Sequence, residues 1–587
     1  MNILGLSDMT GNHSQSTVAL LQQGRLTFAL AQERISRVKN DPRFPVDAIR
    51  AALDYSGVDP GRIDAVVCPY PPPRYYRSLM ARNPLDLPRS LSAILLRRPF
   101  ALARTLLPNL RKALLDPRHS GALAELGMGA QSVVYYDHHR AHVAAAFYGS
   151  GFDRAIGISY GGFAPHDTGR NVAGAVYLCR RGRMDFLEDI PLHASGCFYS
   201  GIAVALGFDY MAGEGKVMGL AAAGEAGRCI EDLARICSRF RGGRWIPYRY
   251  WIDYITTPQR DVFLGSRSGW KLCRLLKEHK PEDVAAAAQK IWGDNVVGLV
   301  SHLAAKHRIS SFVLSGGLFL NAQINRRLET LDNVKQIYIS PHPGDGSTPI
   351  GAALEAELLG SGWPHSSSGP LFRDDTGLGV DYHDREIEKI LQSCRGIDYR
   401  RIKGDTAEYA AQQLAKGRII GWFQGREEFG PRALGHRCIL CDPADAELAR
   451  RVTRTIKNRD EFIPLSPSCL SEKADDYFLG FQPTPFMNKI YTVRPGRAGG
   501  IAGAVHVDGS ARVQSVDKSA YPAFRKLLER FYILTGTPML LNTSLNVHRQ
   551  PIVHRPVEAV ELLRESGLDE LILGSFRVRR KRSESKG

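Results

Sequence analysis

The segment 137–142, which reads Asp-His-His-Arg-Ala-His and precedes an apolar run, indicates a metal-binding pair of histidines. His138 and His142 stand at positions i and i+4, so a helix places both imidazoles on one face, one turn apart. Imidazoles in this arrangement are typical ligands of transition metals. The alternative is a partly exposed helix start with incidental histidines, because short motifs give many false positives.

Asp345 can supply a carboxylate ligand to the same ion. It lies in the segment 343–347 (Pro-Gly-Asp-Gly-Ser), just before a predicted helix. An aspartate at this position is also a common helix N-cap, whereas a carboxylate beside two imidazoles is a common set of metal ligands. The sequence leaves both interpretations open.

Glycine-rich turns in the first half of the chain are candidates for binding a phosphate. Glycines after the predicted strand 312–315 let backbone N–H groups approach a phosphate, and the following helix adds its dipole. The segment 213–219 (Gly-Glu-Gly-Lys-Val-Met-Gly) is not a P-loop, because Val217 stands where a serine or threonine would bind magnesium.

The second half of the chain carries a cluster of cationic and polar residues. The segment 425–437 holds three arginines, one histidine and three glycines, and guanidinium groups pair bidentately with phosphate oxygens. Further polar groups lie at 457–459 (Lys-Asn-Arg), 466–468 (Ser-Pro-Ser) and 542–546 (Asn-Thr-Ser-Leu-Asn). Each segment alone is typical of a solvated loop. Together they predict a pocket for ATP or an acyl phosphate.

Length and charge limit the classes of protein to consider. The 587 residues are too many for one hydrophobic core, and a net charge of +17 suggests an anionic partner such as a nucleotide, nucleic acid, phosphorylated glycan or membrane surface. Cys438 and Cys441 form a C-x-x-C pair without a second pair, so we expect reduced thiols rather than zinc. Neither a signal peptide nor a long apolar run is present, so we expect a cytoplasmic protein.

The predicted elements that must position these residues repeat along the chain. A strand at 2–6, a polar loop and a hairpin at 17–31 are followed by a similar pattern at 155–187, which indicates a duplicated α/β unit. In such a duplicate the ligand usually lies between the halves. The arginine-rich segment 71–118 predicts an amphipathic basic helix, either a solvated face or a contact with an anionic glycan or membrane.

The chain resembles the O-carbamoyltransferase family, which includes nodulation-factor, antibiotic and lipopolysaccharide-core carbamoyltransferases. The most specific match is Gly-Pro-Arg-Ala-Leu-Gly at 430–435 combined with Asn-Thr-Ser-Leu-Asn at 542–546. The other matching stretches follow in family order at 137–149, 213–224, 314–325, 344–353, 425–440, 457–470 and 542–553.

The resemblance implies an α/β protein with two domains. The first is an N-terminal actin-like ATPase domain (duplicated RNase H-like, Kae1-like), similar to the universal tRNA threonylcarbamoyl transferase. The second is a C-terminal YrdC-like twisted α/β domain, similar to the threonylcarbamoyl-adenylate synthase. The expected bounds are 1–360 for the first domain with a basic insertion at 71–118, 361–384 for a linker, 385–578 for the second domain and 579–587 for a basic tail.

The activity implied by the resemblance is ATP-dependent O-carbamoylation. The C-terminal domain is expected to join carbamoyl phosphate to ATP, giving carbamoyl-adenylate and pyrophosphate. A hydroxyl of the acceptor then takes the carbamoyl group in the N-terminal domain, and AMP leaves. The implied cofactors are ATP with Mg²⁺ and a divalent metal, expected to be Fe²⁺, in the N-terminal site.

The resemblance also assigns roles to residues of this chain. His13 is the expected general base on the acceptor hydroxyl, because imidazole titrates near neutral pH. The expected metal ligands are His138, His142, Tyr160 and Asp345. The adenylate is expected at Gly161, Gly162, Lys216, Gly219, Gly316, Gly317 and Asn321. Carbamoyl phosphate and ATP are expected at Arg426, Arg432, His436, Lys457, Arg459, Ser468, Arg512, Asn542, Ser544 and Asn546.

Four positions depart from the family pattern. The loop after His13 lacks the usual aspartate, and Tyr160 stands where relatives carry a metal-binding aspartate. A phenolate ligand at Tyr160 is the corresponding expectation. Ile463 replaces an arginine, and Arg549 in Arg-Gln-Pro can restore the lost charge.

Three functions remain open on sequence alone. The first is carbamoylation of a sugar, for which the arginine-rich segment favours a large anionic, lipid-linked acceptor such as lipopolysaccharide core heptose or another cell-surface glycan, reached by a protein peripheral to the inner face of the membrane. The second is a tRNA threonylcarbamoyl-type transferase, which the fused domain order disfavours. The third is a non-catalytic ligand-binding scaffold, against which the retained Arg432, Lys457, His138, His142 and Asp345 argue.

Overall fold

A computed structural model describes residues 1–7, 15–70, 118–128, 133–167, 170–210, 212–256, 260–361, 371–372, 375–458 and 465–581. The chain divides into two units. Unit 1 comprises Met1–Phe28 and Pro42–Leu371, and unit 2 comprises Ala29–Asp41, which contains helix α1 (Gln32–Ser36), and Phe372–Gly587. The short segment Ala29–Asp41 was expected in the first domain and is a correction to the predicted bounds. The basic insertion at 71–117, most of the linker and the tail beyond 581 lie outside the described residues.

Unit 1 contains two five-stranded sheets with the same topology. In each sheet an antiparallel three-stranded meander is extended by two parallel strands, in the orders β3-β2-β1-β4-β5 and β8-β7-β6-β11-β12. The strands are β1 (Asn2–Leu6), β2 (Thr17–Gln22), β3 (Arg25–Ala31), β4 (Ala65–Cys68), β5 (Val133–Tyr135), β6 (Arg154–Pro165), β7 (Asn171–Arg180), β8 (Arg183–Pro191), the separate hairpin β9 (Arg239–Arg241) and β10 (Arg244–Ile246), β11 (Ser311–Ser315) and β12 (Gln336–Ile339). The sequence prediction of a duplicated α/β unit is therefore confirmed.

The helices of unit 1 cover these sheets. They are α2 (Val46–Ser56), α3 (Arg118–Glu125), α4 (His138–Ser150), α5 (Cys197–Ala205), α6 (Glu214–Ala221), α7 (Ile230–Ala234), α8 (Asp253–Thr256), α9 (Arg260–Leu264), α10 (Arg267–Glu278), α11 (Pro281–His307), α12 (Ala322–Glu329) and α13 (Thr348–Ser361). A large hydrophobic core packs α5 and α11 on one face of the second sheet. No described helix has the length and apolar character needed to cross a membrane.

Unit 2 is built on one mixed nine-stranded sheet in the order β13-β21-β20-β14-β15-β19-β16-β18-β17. Its strands are β13 (Ile397–Arg401), β14 (Ile420–Phe423), β15 (Arg437–Cys441), β16 (Ser466–Leu470), β17 (Lys489–Thr492), β18 (Ser510–Val516), β19 (Met539–Ser544), β20 (Glu570–Leu573) and β21 (Phe576–Arg580). Its remaining helices are α14 (Asp384–Ser393), α15 (Thr406–Leu414), α16 (Ala446–Arg451), α17 (Pro522–Thr535) and α18 (Pro556–Glu565). The protein thus has a mixed α/β fold.

Candidate metal centre and anion pocket

Helix α4 carries the histidine pair and is fixed at both of its ends. Asp137 is the N-cap and accepts a hydrogen bond from the Arg140 backbone N–H at 2.7 Å, and Gly151 ends the helix at φ +73°. Almost every residue of the helix is buried. Against α13 the packing is so close that a Cβ on Gly351 would lie 1.8 Å from the Ala141 carbonyl oxygen. The histidines at the start of α4 are therefore held rigidly.

Three potential metal ligands converge at the N-terminus of α4. The Asp345 Oδ1 atom lies 3.2 Å from His142 Nε2 and 3.8 Å from His138 Nε2. The ligand atoms of the three residues all lie within 4.8 Å of one another. Asp345 begins a short 3-10 turn after Gly344, so its carboxylate faces the histidines instead of capping α13. The structure brings together the three residues that the sequence singled out.

When the His142 imidazole is neutral, its hydrogen bonds leave Nε2 without a proton opposite the Asp345 carboxylate. The single Ser315 hydroxyl proton is donated to the Pro343 carbonyl oxygen at 3.0 Å, so His142 Nδ1, also at 3.0 Å, must donate to that hydroxyl. In a neutral imidazole, Nε2 then carries a lone pair directed at Asp345. Two acceptors this close repel each other. A bound cation removes that repulsion, so the donor set fits a divalent metal.

Burial keeps His138 in the neutral form that binds a metal. Desolvation by burial, followed by the charge of His142, lowers the pKa of His138 to about 4, although the Asp345 charge acts in the opposite direction. The imidazole is therefore neutral at neutral pH, and no proton has to leave before it binds a metal. His139 differs, because its Nε2 lies 3.4 Å from the Ala164 carbonyl oxygen and its Nδ1 lies 3.0 Å from the Ser159 hydroxyl, so both nitrogens are used within the protein.

Tyr160 does not join these ligands, which corrects the sequence-based expectation. The neighbouring Ser159 reaches His139 on α4, so alternation along β6 directs Tyr160 to the opposite face of the sheet. There the Tyr160 hydroxyl donates to the Ala194 carbonyl oxygen at 2.7 Å, and its ring lies fully buried beside Trp292. Burial raises the pKa of Tyr160 well above its ordinary value, which disfavours a phenolate.

We expect Asp345→Asn to weaken metal binding about a hundredfold or more, because a neutral amide is a poorer ligand and leaves the charge of the ion uncompensated. Titration of the metal-free protein with Fe²⁺ or Co²⁺, followed by absorption spectroscopy or calorimetry, measures this affinity. Asp332→Asn, at an exposed carboxylate of the same unit, is the matched control and should bind as wild type. Equal affinities for both variants would exclude Asp345 as a ligand.

We expect acid to destabilise the metal-free protein through its buried histidines. An unfolded histidine takes up a proton near pH 6.5, whereas His138 does so only near its pKa of about 4, and burial also lowers the pKa of His139 well below its ordinary value. Their stabilising contribution is therefore present above pH 6.5 and is lost as the pH falls towards 4. For His138 alone the free energy of unfolding should fall by about 2 kcal/mol between pH 6.5 and pH 5.

Urea unfolding at pH 7 and at pH 5 tests this prediction. His139→Gln, whose amide can donate and accept in the same place, should lose less stability on acidification than wild type. His279→Gln, at a half-buried histidine on the surface, should retain the wild-type pH dependence. The same pH dependence in all three proteins would show that His139 is not responsible.

The glycine turns of unit 1 meet beside the second sheet. Gly316 adopts φ +102°, and a Cβ on it would lie 2.2 Å from the Tyr160 carbonyl oxygen, so only glycine fits there. A Cβ on Gly161 would lie 3.3 Å from the Gly317 backbone nitrogen, which shows how closely the two turns approach. The Gly162 carbonyl oxygen accepts from the Ser195 hydroxyl at 2.6 Å.

The other residues predicted to bind the adenylate have different surroundings. The Asn321 amide caps α12 through the Ile324 N–H and exchanges hydrogen bonds of 3.0 and 2.9 Å with Gln289. These contacts fix the position of the Asn321 side chain, and its predicted role at the adenylate stays a prediction. Lys216 and Gly219 lie on α6, with the Lys216 ammonium 5.3 Å from the centroid of the Phe208 ring.

One face of the sheet in unit 2 is polar across three neighbouring strands. Ser466 pairs in register with Asn542, and Ser468 pairs with Gln514. The Asn542 amide donates to the Ser468 hydroxyl at 3.0 Å, and the Arg512 guanidinium donates to the Ser466 hydroxyl at 3.0 Å. Alternate residues of the same strands enter the hydrophobic core. The polar face consists of Ser466, Ser468, Arg512, Gln514, Asn542 and Ser544.

Lys457 contacts the end of β19 and the turn that follows it, at the edge of the polar face. Its ammonium donates to the Ser544 carbonyl oxygen at 2.7 Å and hydroxyl at 3.0 Å, and to the Asn546 carbonyl oxygen at 3.0 Å and side-chain oxygen at 2.5 Å. Because the three residues are separated in sequence, only the fold brings them together. Lys457 thus fixes the turn 544–546 and places a positive charge at the edge of the face.

The loop 428–437 carries Arg432 over this polar face. The Ala433 carbonyl oxygen accepts from the Asn542 amide at 3.0 Å, and the Leu434 carbonyl oxygen accepts from the Gln514 amide at 2.8 Å. Arg432 itself is half-buried, and burial lowers the pKa of its guanidinium below the ordinary value. It forms no ion pair with a described residue. A half-buried cation beside backbone that contacts this polar face, without a counter-charge among the described residues, is suited to bind an anion.

A buried carboxylate fixes the path of the loop. Glu428 Oε1 accepts from the backbone N–H groups of Leu434, His436 and Arg437 at 2.9, 3.3 and 3.2 Å. Arg34, from the segment Ala29–Asp41 of the same unit, donates to the Gly430 carbonyl oxygen at 2.9 Å. The loop therefore has support at its start and at its end.

Two residues predicted to bind phosphate also have partners within unit 2. The Arg426 guanidinium donates to the Gly379 and Leu378 carbonyl oxygens at 2.9 and 2.6 Å. His436 Nε2 lies 2.6 Å from Asp375 Oδ1, and its Nδ1 lies 3.2 Å from the Gln424 carbonyl oxygen. Burial opposes protonation of His436, but the hydrogen bond and charge of Asp375 outweigh it and raise the pKa of the imidazole. A direct contact of either residue with phosphate stays a prediction.

Some residues that the sequence singled out lie elsewhere, and others were missed. His13, Arg459 and Ile463 lie outside the described residues. Gln514 was missed, although its spacing of two residues from Arg512 on a strand indicates the same face. Glu428 and Arg34 were missed because no local pattern shows which backbone they contact.

Two protein-family models match this chain in order. The model described as Carbamoyltransferase N-terminus matches residues 2–354, and the model described as Carbamoyltransferase C-terminus matches residues 411–580. The nodulation protein NolNO of Sinorhizobium fredii is 30% identical over 572 residues, which cover 96% of this chain and 78% of that protein. The 3'-hydroxymethylcephem-O-carbamoyltransferase of Amycolatopsis lactamdurans is 30% identical over 269 residues, which cover 45% of this chain and 48% of that protein.

A solved structure of full-length HypF in its phosphate- and nucleotide-bound form aligns with 62% of this chain and 56% of its own, at 15% identity and a TM-score of 0.32. The N-terminal family model alone spans more than half of the chain, and the C-terminal model follows it. These matches confirm the resemblance read from the motifs: the chain belongs to the carbamoyltransferase family.

Proposed function

We propose that this protein is an ATP-dependent O-carbamoyltransferase that uses carbamoyl phosphate, forms a carbamoyl-adenylate and transfers the carbamoyl group to a sugar hydroxyl. Unit 2 is the proposed adenylate-forming unit, with a YrdC-like twisted α/β fold. Unit 1 is the proposed transfer unit, with an actin-like ATPase fold. The named relative that carbamoylates a hydroxymethyl group on oxygen supports an oxygen acceptor here.

The observation that carries the proposal is Arg432 above the polar face of unit 2. An uncompensated guanidinium over hydroxyl and amide groups suits a ligand with several anionic oxygens and a planar carbonyl or amide. Carbamoyl phosphate has both features. Lys457 adds a second positive charge at the edge of the same face.

The proposed reaction in unit 2 joins two phosphate compounds. Carbamoyl phosphate is hydrolysed to carbamate and inorganic phosphate. A carbamate oxygen then attacks the α-phosphorus of ATP and displaces pyrophosphate. Negative charge accumulates on the phosphoryl oxygens as the new bond forms. Arg432 and Arg512 lie on the elements that border the polar face and would neutralise that charge.

Unit 1 would then bring the carbamoyl-adenylate to the acceptor. His138, His142 and Asp345 would hold a divalent metal, expected to be Fe²⁺, which would act there as a Lewis acid towards phosphate oxygens. The backbone of Gly161, Gly316 and Gly317 would pass close to the nucleotide. His13 remains the proposed base that takes the proton of the acceptor hydroxyl as the C–O bond forms and AMP leaves.

The proposed acceptor is an anionic cell-surface glycan such as lipopolysaccharide core heptose, because the chain carries a net charge of +17. Mass spectrometry of glycans from wild-type and deletion strains tests this part. A mass difference of about 43 Da, the mass balance of one carbamoyl group, on a particular sugar would identify the acceptor. Unchanged glycans would exclude it.

The proposed chemistry is tested by isotope exchange between labelled pyrophosphate and ATP. Exchange should require carbamoyl phosphate, because only the adenylate-forming step returns pyrophosphate to ATP. His142→Ala should retain this exchange but lose transfer to an acceptor, since the histidine lies in unit 1. Wild-type protein without carbamoyl-phosphate-dependent exchange at saturating substrates would refute the proposal.

A further inference from the structure

The solvent-exposed face of helix α10 combines an aromatic side chain with positive charges. Trp270 is 61% exposed, more than any other aromatic side chain among the described residues. Trp270 lies on the helix face opposite the buried Leu272 and Leu275. Arg267 is exposed at position i−3, and Lys271, at position i+1, is half-buried at the border of that face. Tryptophan combines an apolar ring with a polar N–H group and is enriched at interfaces, and here it lies beside positive charges.

Three cationic side chains lie close to the ring of Tyr250, a residue that precedes α10. The Tyr250 ring centroid lies 4.9 Å from the Arg267 guanidinium, 5.4 Å from that of Arg249 and 5.6 Å from the Lys271 ammonium. The Tyr250 hydroxyl also accepts from Arg267 at 2.6 Å. Cation–π contacts thus keep the three positive charges clustered. We call Arg249, Tyr250, Arg267, Trp270 and Lys271 the basic–aromatic patch.

The three cations of the patch have no carboxylate partner among the described residues. The nearby acidic side chains are engaged elsewhere, since Asp253 accepts from the Ser268 backbone N–H at 2.9 Å and Glu278 pairs with Arg274 at 2.9 Å. Like charges held this close repel each other. Their positive potential is therefore available to a partner that carries many negative charges.

We propose that the basic–aromatic patch docks unit 1 on the surface of an anionic membrane. The arginines and the lysine would contact acidic phospholipid headgroups, and Trp270 would enter the interfacial layer, where indole rings are favoured. The contact is peripheral. It is independent of the identity of the carbamoyl acceptor and of the proposed reaction, and it uses residues apart from both candidate sites.

The chemistry of the patch favours a membrane surface over a soluble glycan. Arg249, Arg267 and Lys271 crowd the Tyr250 ring, so that ring is not a free platform on which a sugar could stack. The three cations are donors only, and the acceptors described beside them, the Tyr250 hydroxyl and the Asp253 carboxylate, already accept from Arg267 and from the Ser268 N–H. Trp270 projects beside them as an apolar group, and a combination of several cations with an inserted apolar group is what peripheral membrane binding needs.

Sedimentation of the full-length protein with lipid vesicles tests the proposal. Wild type should bind vesicles containing about a third phosphatidylglycerol, should not bind pure phosphatidylcholine, and should be released by salt. The triple variant Arg249→Ala, Arg267→Ala, Lys271→Ala should bind about a hundredfold more weakly, as expected for three headgroup contacts. Trp270→Ala should bind about tenfold more weakly.

A control of equal charge separates this patch from the overall positive charge. The variant Arg25→Ala, Arg62→Ala, Lys335→Ala removes three exposed cations elsewhere in unit 1 and should bind as wild type. Quenching of tryptophan fluorescence by brominated lipid should be strong in wild type and largely lost in Trp270→Phe.

Three outcomes would overturn the proposal: absence of vesicle binding, an equal loss of binding in both triple variants, or binding of a soluble sulfated polysaccharide in place of vesicles. Circular dichroism and the melting temperature should be unchanged in every patch variant, and this confirms that the variants fold. Vesicle binding is measured without substrates, so the result does not depend on the proposed reaction.

Discussion

Arg432→Ala is expected to lower carbamoyl-phosphate-dependent pyrophosphate exchange about a thousandfold, as the loss of a preorganised charge at a developing anion does in other enzymes. The guanidinium is half-buried over hydroxyl and amide groups and has no counter-charge among the described residues. Its removal takes away one of the cations at the polar face, beside which Arg512 and Lys457 remain. Arg432→Ala should therefore weaken both the binding of carbamoyl phosphate and the stabilisation of the transition state.

Exchange kinetics at varied carbamoyl phosphate concentration measure this effect. Arg432→Lys should recover only part of the activity, because an ammonium cannot bind two phosphate oxygens in the bidentate manner of a guanidinium. Arg450→Ala, at an exposed arginine paired with Glu447 on α16, is the matched control and should retain full exchange. If Arg432→Ala retained wild-type exchange, the anion pocket would have to lie elsewhere in the protein.

Much of the fold could be predicted because its patterns are local. Short apolar strands, glycine loops and hairpins at 2–31 and 155–187 predicted the duplicated unit, and both sheets have that topology. The pair His138 and His142 could be predicted from helical periodicity alone. Asp345 lies 203 residues from His142 in the sequence, so its segment left two interpretations open, a helix N-cap and a metal ligand, and the convergence of the three side chains favours the second.

The failures share one physical cause. Sequence motifs give the chemical type of a residue but not the face of the element on which it lies. Tyr160 has the right position in the motif, yet strand alternation directs its side chain into the core. Arg426 and His436 lie on either side of the specific block 430–435, and their polar atoms have backbone and side-chain partners within unit 2. A polar residue within a motif can therefore support the loop instead of contacting the ligand.

Other features depend on contacts that no local pattern encodes. Residues Ala29–Asp41 begin within strand β3 of the first sheet but belong to unit 2, where Arg34 contacts the Gly430 carbonyl oxygen. Gly435 adopts φ +132°, and a Cβ there would lie 2.8 Å from the Phe524 ring, which explains its place in the block. The block thus contains residues expected to bind the ligand together with residues that determine the path of the backbone.

The second large effect is expected for Glu428→Gln, which should reduce exchange about tenfold to a hundredfold without unfolding unit 2. One carboxylate oxygen accepts three backbone N–H groups, and charged hydrogen bonds of this kind contribute about 1.5–3 kcal/mol each. An amide keeps the shape of the side chain but weakens every one of them. The loop would then hold Arg432 less firmly over the polar face.

Because Glu428 acts through the loop, its effect should differ in kind from that of Arg432. The KM for carbamoyl phosphate should rise in Glu428→Gln, and the double variant with Arg432→Ala should be no worse than Arg432→Ala alone, since a loop without its cation gains little from being held in place. Glu447→Gln, at an exposed carboxylate of unit 2, is the control. If the two losses multiplied independently, Glu428 would support the fold of unit 2 in general and not the position of Arg432.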